Sequence, residues 1–139
     1  MSFDLDPGAN GVARDGAGSR NNASALANPV PEIRSNTLVG WTLNNHSANA
    51  VFRYIDSYDD QAPDGSVAGE IDDWWVIDLQ YGYRMPLFDD QELAITLGML
   101  NAFDEEPPAV SGSANEFGYD TKVHDPRGRM LYVRFNYGF

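Results

Sequence analysis

The densest group of ionisable side chains lies between residues 56 and 73, where seven carboxylates occur with no Lys or Arg among them. These carboxylates belong to Asp56, Asp59, Asp60, Asp64, Glu70, Asp72 and Asp73. Hard divalent cations take oxygen ligands, so a cation-binding loop is one interpretation of the stretch. Its spacing lacks the alternate acidic positions and the terminal Glu of an EF-hand loop. We therefore expect a solvated acidic loop and no metal site.

The remaining reactive residue types do not combine into a catalytic pattern. Glu105 and Glu106 are adjacent in a Pro-rich stretch, where their side chains point apart and nothing favours the raised pKa of a general acid. His46 and His124 are far apart in a chain without cysteine, which is a poor zinc signal, and both are expected at the surface. Ser57 has no nucleophile elbow around it. The sequence predicts no catalytic residue, no cofactor and no enzyme activity.

The charge balance limits the partners of the protein. The chain has 139 residues, of which 21 are acidic and 9 basic, so its formal net charge is −12. Such a chain would be repelled by nucleic acid and cannot anchor electrostatically to an anionic leaflet. No run approaches the roughly 18 apolar residues of a membrane helix. A soluble β-rich domain fits these features, and a β-barrel membrane protein fits them equally.

Hydrophobic alternation divides the chain into a leader and a strand-rich part. Residues 1–34 hold one aromatic, Phe3, amid Gly, Asn, Ser and Pro, which predicts a long loop or partial strand. After residue 34 the apolar residues recur with period two, which is typical of strands. The predicted strands are 36–43, 47–58, 73–85, 92–101 and 128–139. No segment keeps a helical period, so the predicted class is all-β.

The strands have one apolar and one polar face, and two architectures explain that alternation. A soluble sandwich has one solvated face, whereas a membrane barrel has an apolar face toward lipid and a polar face toward its lumen. The predicted strands of 8 to 13 residues exceed the roughly 5 or 6 of globular proteins. Such lengths suit a tilted strand that crosses a bilayer.

The connections alternate between long and short. Residues 44–46 and 86–91 form short turns, whereas the leader, 59–72 and 102–127 are long. In an up-and-down sheet, alternate connections lie at the same edge, so all long loops fall on one side. Outer-membrane barrels have this asymmetry, whereas sandwiches mix loop lengths at both ends. The connections therefore favour a barrel.

The last strand resembles the C-terminal strand of bacterial outer-membrane proteins. It ends on Phe139, with Phe135 and Tyr137 at alternate positions before it. The resemblance implies that these residues are the assembly signal read by the outer-membrane assembly machinery.

Upstream segments resemble the final strands of TonB-dependent receptors. They are RYIDSYDD at 53–60, IDDWWVIDLQYGYRMP at 71–86, LGMLNAFDEEPP at 97–108, GYD at 118–120 and HDPRGRMLYVRFNYGF at 124–139. The most specific elements are NxFDxxPP (Asn101, Phe103, Asp104, Pro107, Pro108) and DPRGR at 125–129. The resemblance covers about residues 30–139.

This resemblance implies the antiparallel up-and-down strands of a transmembrane β-barrel, with about five or six C-terminal strands of roughly 22 and hence an incomplete barrel. Residues 1–34 would form a long extracellular loop or partial strand, and residues 35–139 the barrel strands. Signal peptide, plug and TonB box are not found in the sequence, so we expect a C-terminal piece that does not transport alone.

The implied function is uptake of a scarce nutrient at the cell outer membrane, energised by TonB. The nutrient would be a small ligand such as a ferric siderophore, cobalamin or an oligosaccharide. The implied partners are outer-membrane lipid, the assembly machinery and the TonB complex, which is reached through an N-terminal plug. The predicted ligand-facing residues all belong to predicted loops or their ends: Asp60, Asp64, Glu70, Trp74, Glu105 and Tyr119.

The aromatic residues leave further interpretations open. An interfacial belt is predicted for Trp41, Tyr54, Tyr58, Trp74, Trp75, Tyr81 and Tyr83. A soluble carbohydrate-binding β-sandwich is the alternative, with Trp74 and Trp75 as a stacking platform for sugar. A β-rich hydrolase fragment is the third hypothesis.

Overall fold

The computed structural model of the chain describes residues 4–5, 14–21, 28–88, 91–110 and 117–138. All regular structure in these residues is β-strand. The strands are β1 (Asp4–Leu5), β2 (Arg14–Asp15), β3 (Arg34–Leu43), β4 (His46–Ile55), β5 (Tyr58–Gln61), β6 (Val67–Ile71), β7 (Trp74–Pro86), β8 (Glu92–Leu100) and β9 (Met130–Gly138). Each pair with a defined register is antiparallel, which confirms the predicted all-β class. None of the described residues forms a helix long and apolar enough to cross a membrane.

The chain divides into two compact units. The first unit comprises the described residues of Met1–Arg34, Tyr54–Trp74 and Pro107–Pro126. The second unit comprises those of Ser35–Arg53, Trp75–Glu106 and Arg127–Phe139. The two-stranded sheets β1-β2 and β5-β6 belong to the first unit. Most residues of the five-stranded sheet belong to the second.

The five-stranded sheet has the order β3-β4-β7-β8-β9. Strand order in the sheet follows strand order in the chain, with only the β5-β6 hairpin intervening, so the sheet is an up-and-down meander. Its strands correspond to the five predicted strands. Within the described residues the sheet is open, and β3 and β9 each have one neighbour. The sheet is therefore not closed into a barrel.

The register confirms the predicted division into two faces for β7, β8 and β9. Directly paired residues in an antiparallel sheet lie on the same face. The apolar pairs are Leu79↔Met99, Tyr81↔Leu97, Tyr83↔Ile95, Leu97↔Val133, Ile95↔Phe135 and Leu93↔Tyr137. The other face pairs Gln80↔Gly98, Gly82↔Thr96, Gly98↔Tyr132, Thr96↔Arg134 and Ala94↔Asn136.

The apolar face of this sheet is largely uncovered. Nine of its large side chains are between 41 % and 72 % exposed. They are Val39, Trp41, Leu79, Tyr81, Leu97, Leu131, Val133, Phe135 and Tyr137. Between them lies an open groove of about 670 Å³, lined from all five strands. Contiguous apolar surface of this extent marks a site that contacts a membrane, a ligand or another protein.

On the polar face, glycine makes room for an aromatic ring. Gly98 is buried and pairs directly with Tyr132 on the neighbouring strand. A Cβ atom at residue 98 would overlap the Tyr132 ring. The ring therefore covers the backbone of β8 and replaces the contacts that the glycine lacks.

The predicted strand 47–58 and the predicted loop 59–72 are wrong in their boundaries. Strand β4 ends at Ile55, and Tyr58 begins the β5-β6 hairpin, with Tyr58 paired to Ile71. At the hairpin turn the Asp64 carboxylate accepts hydrogen bonds from the Ser66 amide and hydroxyl at 2.9 and 2.7 Å. Gly65 adopts a φ of 87°, which favours glycine. The sequence analysis assigned the stretch to a solvated loop because of its acidic composition and so did not identify Asp64-Gly65-Ser66 as a hairpin turn.

Candidate functional site

The first unit contains a buried cluster of charged and aromatic side chains, which we call the polar cluster. Its members are Arg20, Tyr58, Asp60, Trp74, Asp120 and His124. They come from the leader, from β5, from the start of β7 and from residues 117–126. These segments are far apart in the sequence, so the first unit depends on contacts across long chain separations.

The leader is fixed against β5 by backbone hydrogen bonds. The Arg20 amide donates to the Asp59 carbonyl at 2.9 Å, and the Asp59 amide donates to the Gly18 carbonyl at 2.8 Å. Asn21 is buried and left-handed, with φ 55°, and its side-chain amide donates to the Gly16 carbonyl at 2.9 Å. Asn tolerates this conformation better than most residues. The predicted loop thus has a defined path over residues 16–21.

Arg20 connects two buried carboxylates. Its Nη1 lies 2.9 Å from Asp60 Oδ1, and its Nε lies 3.6 Å from Asp120 Oδ2. Asp60 is 1 % exposed and Asp120 is 4 % exposed. Buried charges are costly unless paired, so the guanidinium compensates both carboxylates at once.

Tyr58 completes the partners of Asp120. Its hydroxyl donates to Asp120 Oδ2 at 3.3 Å, while Asp120 Oδ1 accepts from the Lys122 amide at 3.1 Å. Burial raises the pKa of the Tyr58 hydroxyl well above its usual value, and the nearby Asp120 carboxylate raises it further. The hydroxyl therefore remains a protonated donor across the physiological range.

His124 is buried, so its predicted surface position is wrong. It is 4 % exposed, and its ring stacks on Tyr58 with centroids 6.2 Å apart. The Trp74 ring meets it edge-on at 5.5 Å. Within the described residues, neither ring nitrogen of His124 has a hydrogen-bond partner. Burial lowers the pKa of His124, and Asp120 opposes that shift without overcoming it.

In the second unit, Asn101 joins the ends of β8 and β9. The residue is buried and left-handed, with φ 47°. Its Nδ2 donates to the carbonyls of Glu105 at 2.9 Å and Arg127 at 3.2 Å, and its Oδ1 accepts from the Glu105 amide at 2.8 Å. Its own amide donates to Asp78 Oδ1 at 2.9 Å. One side chain thus ties together the two ends of the β8–β9 connection, which lie more than 20 residues apart in the sequence.

Asp104 makes the second tie between the same segments. Its Oδ1 accepts a hydrogen bond from the Arg129 amide at 2.6 Å. A Cβ atom at Gly128 would lie 2.7 Å from that same oxygen, so a larger residue at position 128 would push the carboxylate from its present position. The NxFDxxPP and DPRGR elements therefore form one hydrogen-bonded structure, which we call the β8–β9 clasp (residues 101–105 and 127–129).

The predicted ligand-facing residues separate into buried and accessible groups. Asp60 lies in β5 and Trp74 begins β7, and both are buried in the polar cluster rather than exposed in a loop. Asp64 and Glu70 are exposed on the β5-β6 hairpin. Glu105 and Tyr119 are half-buried. Glu105 contributes its backbone to the β8–β9 clasp, and Tyr119 bridges Ala109 through its backbone.

The predicted assembly signal is described in part. Phe135 and Tyr137 lie on the apolar face of β9, 66 % and 54 % exposed. Phe139 lies outside the described residues.

The predicted aromatic belt is also divided between the units. His46 Nδ1 lies 2.6 Å from the Tyr81 hydroxyl, and its ring centroid lies 4.9 Å from that of Tyr83. Trp75 packs against Phe103 with centroids 5.7 Å apart. Tyr58 and Trp74 are buried in the first unit, so a belt position is wrong for these two. Burial of Trp74 also removes half of the proposed sugar-stacking platform.

The described residues hold no group of three or more His, Cys, Asp or Glu placed to bind a metal ion. Asp59 and Asp60 lie on β5, Asp64 in the hairpin turn and Glu70 on β6, while Asp56, Asp72 and Asp73 lie just outside the hairpin. No family model, curated protein or solved structure matches the chain.

Sequence reasoning missed Arg20 and His124. Arg20 lies in a stretch of small residues, and its partner Asp60 is 40 residues away. His124 precedes the DPRGR element, which predicts a turn at the surface. Period-two patterning detects neither, because it reports on strand faces and not on contacts between loops.

The buried ion pair generates a stability prediction. Asp60→Asn removes the closest counter-charge of Arg20 but leaves Asp120 at 3.6 Å, so we expect the free energy of unfolding to fall by about 1.5–3 kcal/mol. Asp59→Asn is the matched control, because Asp59 is the exposed neighbour on the same strand, and we expect a change within about 0.5 kcal/mol. Denaturant unfolding followed by tryptophan fluorescence measures both. Equal losses would contradict a specific role for Asp60.

The β8–β9 clasp generates a second prediction. Asn101→Ala removes three side-chain hydrogen bonds at about 0.5–1.5 kcal/mol each. It also places alanine in the left-handed region at a further cost of about 1 kcal/mol. Asn101→Gly loses the same hydrogen bonds without that backbone cost, so we expect it to be less destabilising. If glycine were as destabilising as alanine or more so, the backbone argument would be wrong.

Proposed function

We propose that the chain supplies C-terminal wall strands of an outer-membrane β-barrel in a TonB-dependent receptor. The observation that carries the proposal is the uncovered apolar face of the five-stranded meander. Alternation places polar and charged side chains such as Arg134 and Asn136 on the opposite face of the same strands. A wall between lipid and an aqueous lumen needs this inverted arrangement.

The polar face carries an ion pair that suits a lumen. Arg53 Nη2 lies 2.9 Å from Asp78 Oδ2, and the two residues come from the neighbouring strands β4 and β7. Asp78 also accepts from the Asn101 amide. Charged pairs inside a membrane protein face the interior or a water-filled cavity, where they keep their partners.

Strand length supports a membrane crossing. Strand β7 has 13 residues, which correspond to about 43 Å at roughly 3.3 Å per residue. Tilted by about 45°, such a strand spans about 30 Å, the thickness of the hydrocarbon core. Strands β8 and β9 have nine residues each, at the lower end of the roughly 9–11 residues needed for a tilted crossing.

The connections support the same topology. Residues 44–45 join β3 to β4, and residues 87–91 join β7 to β8, so the tight turns lie at one end of the meander. The connections from β4 to β7 and from β8 to β9 are long. Short turns on one side and long loops on the other are typical of outer-membrane barrels.

Closure of the barrel requires further strands at both edges. Edge strands β3 and β9 present backbone groups on their outer sides, and lipid contains nothing to satisfy them. The resemblance implies about 22 strands in all, so this chain forms roughly the last quarter of the wall. Nutrient capture by the long connections and a plug driven by TonB would complete the transport mechanism.

The lipid face is tested by single-cysteine scanning, which the cysteine-free chain permits. We introduce Cys at Leu131, Val133 and Phe135 of the apolar face and at Tyr132 and Arg134 of the polar face. After reconstitution into vesicles, each site is labelled with a fluorophore. We expect nitroxide lipids to quench the first three strongly and the last two weakly, because side chains alternate across a strand.

Because neighbouring sites of β9 lie on opposite faces, the scan distinguishes a lipid-facing strand from a strand that does not contact lipid. Quenching with a two-residue period supports a lipid-facing strand. Uniformly weak quenching, together with accessibility of Leu131, Val133 and Phe135 to a soluble quencher, would contradict the proposal.

The transport role is tested in the bacterium that carries the gene. Deletion of the coding sequence for residues 35–139 should abolish TonB-dependent accumulation of one labelled nutrient among ferric siderophores, cobalamin and oligosaccharides. Accumulation should return when the intact gene is restored. Unchanged accumulation of all three classes would overturn the receptor assignment while leaving the lipid face intact.

A further inference from the structure

We propose that His124 is a pH-sensitive fastener, which holds residues 117–126 in the polar cluster while neutral and releases them when protonated. The fastener lies within the first unit and would act whether or not the second unit crosses a membrane. It stands on the packing of one imidazole and on the absence of partners for its nitrogens among the described residues.

The packing around His124 suits a neutral ring. Tyr58 stacks against it and Trp74 meets it edge-on, so two aromatic surfaces enclose it. The ring is 4 % exposed, and neither nitrogen has a partner in the described part of the chain. A protonated imidazole has two N–H donors and a full charge, and burying such a group without partners is costly.

Three ionisable groups act on or touch His124: Tyr58 of β5, which stacks on its ring, Asp120 of its own segment and Arg34 of β3. Arg20 of the leader is paired with Asp60 and Asp120 in the same cluster. Asp120 is the group that favours the cation, through its negative charge. Its carboxylate is already engaged with Tyr58, Arg20 and the Lys122 amide. Arg34 disfavours the cation.

The direction of the pH effect follows from proton linkage. The pKa of His124 is lowered in the folded state by burial, so below the ordinary value near 6.5 the released state binds more protons than the folded one. The fastening is therefore complete above about pH 6.5 and weakens as the pH falls below it. One linked proton limits the change to about tenfold per pH unit.

Release would act on the segment held by His124. The backbone amides of Val123 and His124 donate to the Asp120 carbonyl at 3.2 and 3.0 Å. When the ring leaves its site, these hydrogen bonds lose the packing that covers them. Amide hydrogen exchange over 117–126 therefore reports directly on the fastening.

The test is hydrogen exchange of the full chain in detergent micelles at pH 7.5 and 5.5, detected by mass spectrometry and corrected for intrinsic exchange rates. In the wild type we expect protection over 117–126 to fall by up to about tenfold at pH 5.5. Protection of the β8-β9 ladder serves as the internal reference. In His124→Phe, which keeps an aromatic ring but cannot titrate, protection should be independent of pH.

His46→Phe is the matched control, because it removes the other histidine of the sequence and should retain the wild-type response. A pH response that persists in His124→Phe, or that disappears in His46→Phe, would overturn the proposal. Should His124→Phe fail to fold, wild-type NMR titration of the His124 ring decides. A ring that titrates below about 6.5 supports the fastener, whereas one that titrates at or above that value refutes it.

Discussion

The second unit depends on removing one face of its sheet from water. Nine large apolar side chains on that face are between 41 % and 72 % exposed. Fully burying one such side chain contributes about 1.5–3 kcal/mol, so covering the exposed parts of nine is worth about 10 kcal/mol. That amount is comparable to the whole stability of an ordinary domain, about 5–15 kcal/mol. The environment of this face therefore decides whether the meander is stable.

This constraint explains why the polar contacts of the second unit occur where they do. In the proposed barrel this apolar face would meet lipid, which contacts every apolar side chain equally well, so the face would add little specificity. Register must then come from directional contacts on the polar side and at strand ends. Arg53 and Asp78 join β4 to β7, the Tyr132 ring fills the space over Gly98, and the β8–β9 clasp fixes the last connection. Each contact opposes a slip of one strand against its neighbour.

The sequence predicts the strands of the second unit well and the buried contacts of the first unit poorly. Five strands of the meander and the faces of β7, β8 and β9 follow from period-two alternation, which is a local property. The β5-β6 hairpin was not predicted, because its Asp59, Asp60 and Glu70 resemble a solvated loop in composition. The burial of Asp60 depends on Arg20 in the leader, and the burial of His124 depends on Tyr58 and Trp74. These partners lie far apart in the sequence, so no local sequence pattern could predict the polar cluster.

Because the two units are stabilised by different physical terms, they should respond to different conditions. Arg20, Asp60 and Asp120 stabilise the first unit through charges that are only 1 % to 4 % exposed at the carboxylates, where salt screens poorly. Protons act on that unit directly, since His124 is packed there as a neutral ring. The apolar face of the second unit is formed by aliphatic and aromatic side chains, so we expect its stability to depend on what covers that face and not on salt or protons. A change of salt, pH or detergent that affects one unit alone identifies the interaction that stabilises that unit. The net charge of −12 predicts the stability of neither unit, because the carboxylates of the polar cluster are buried and paired.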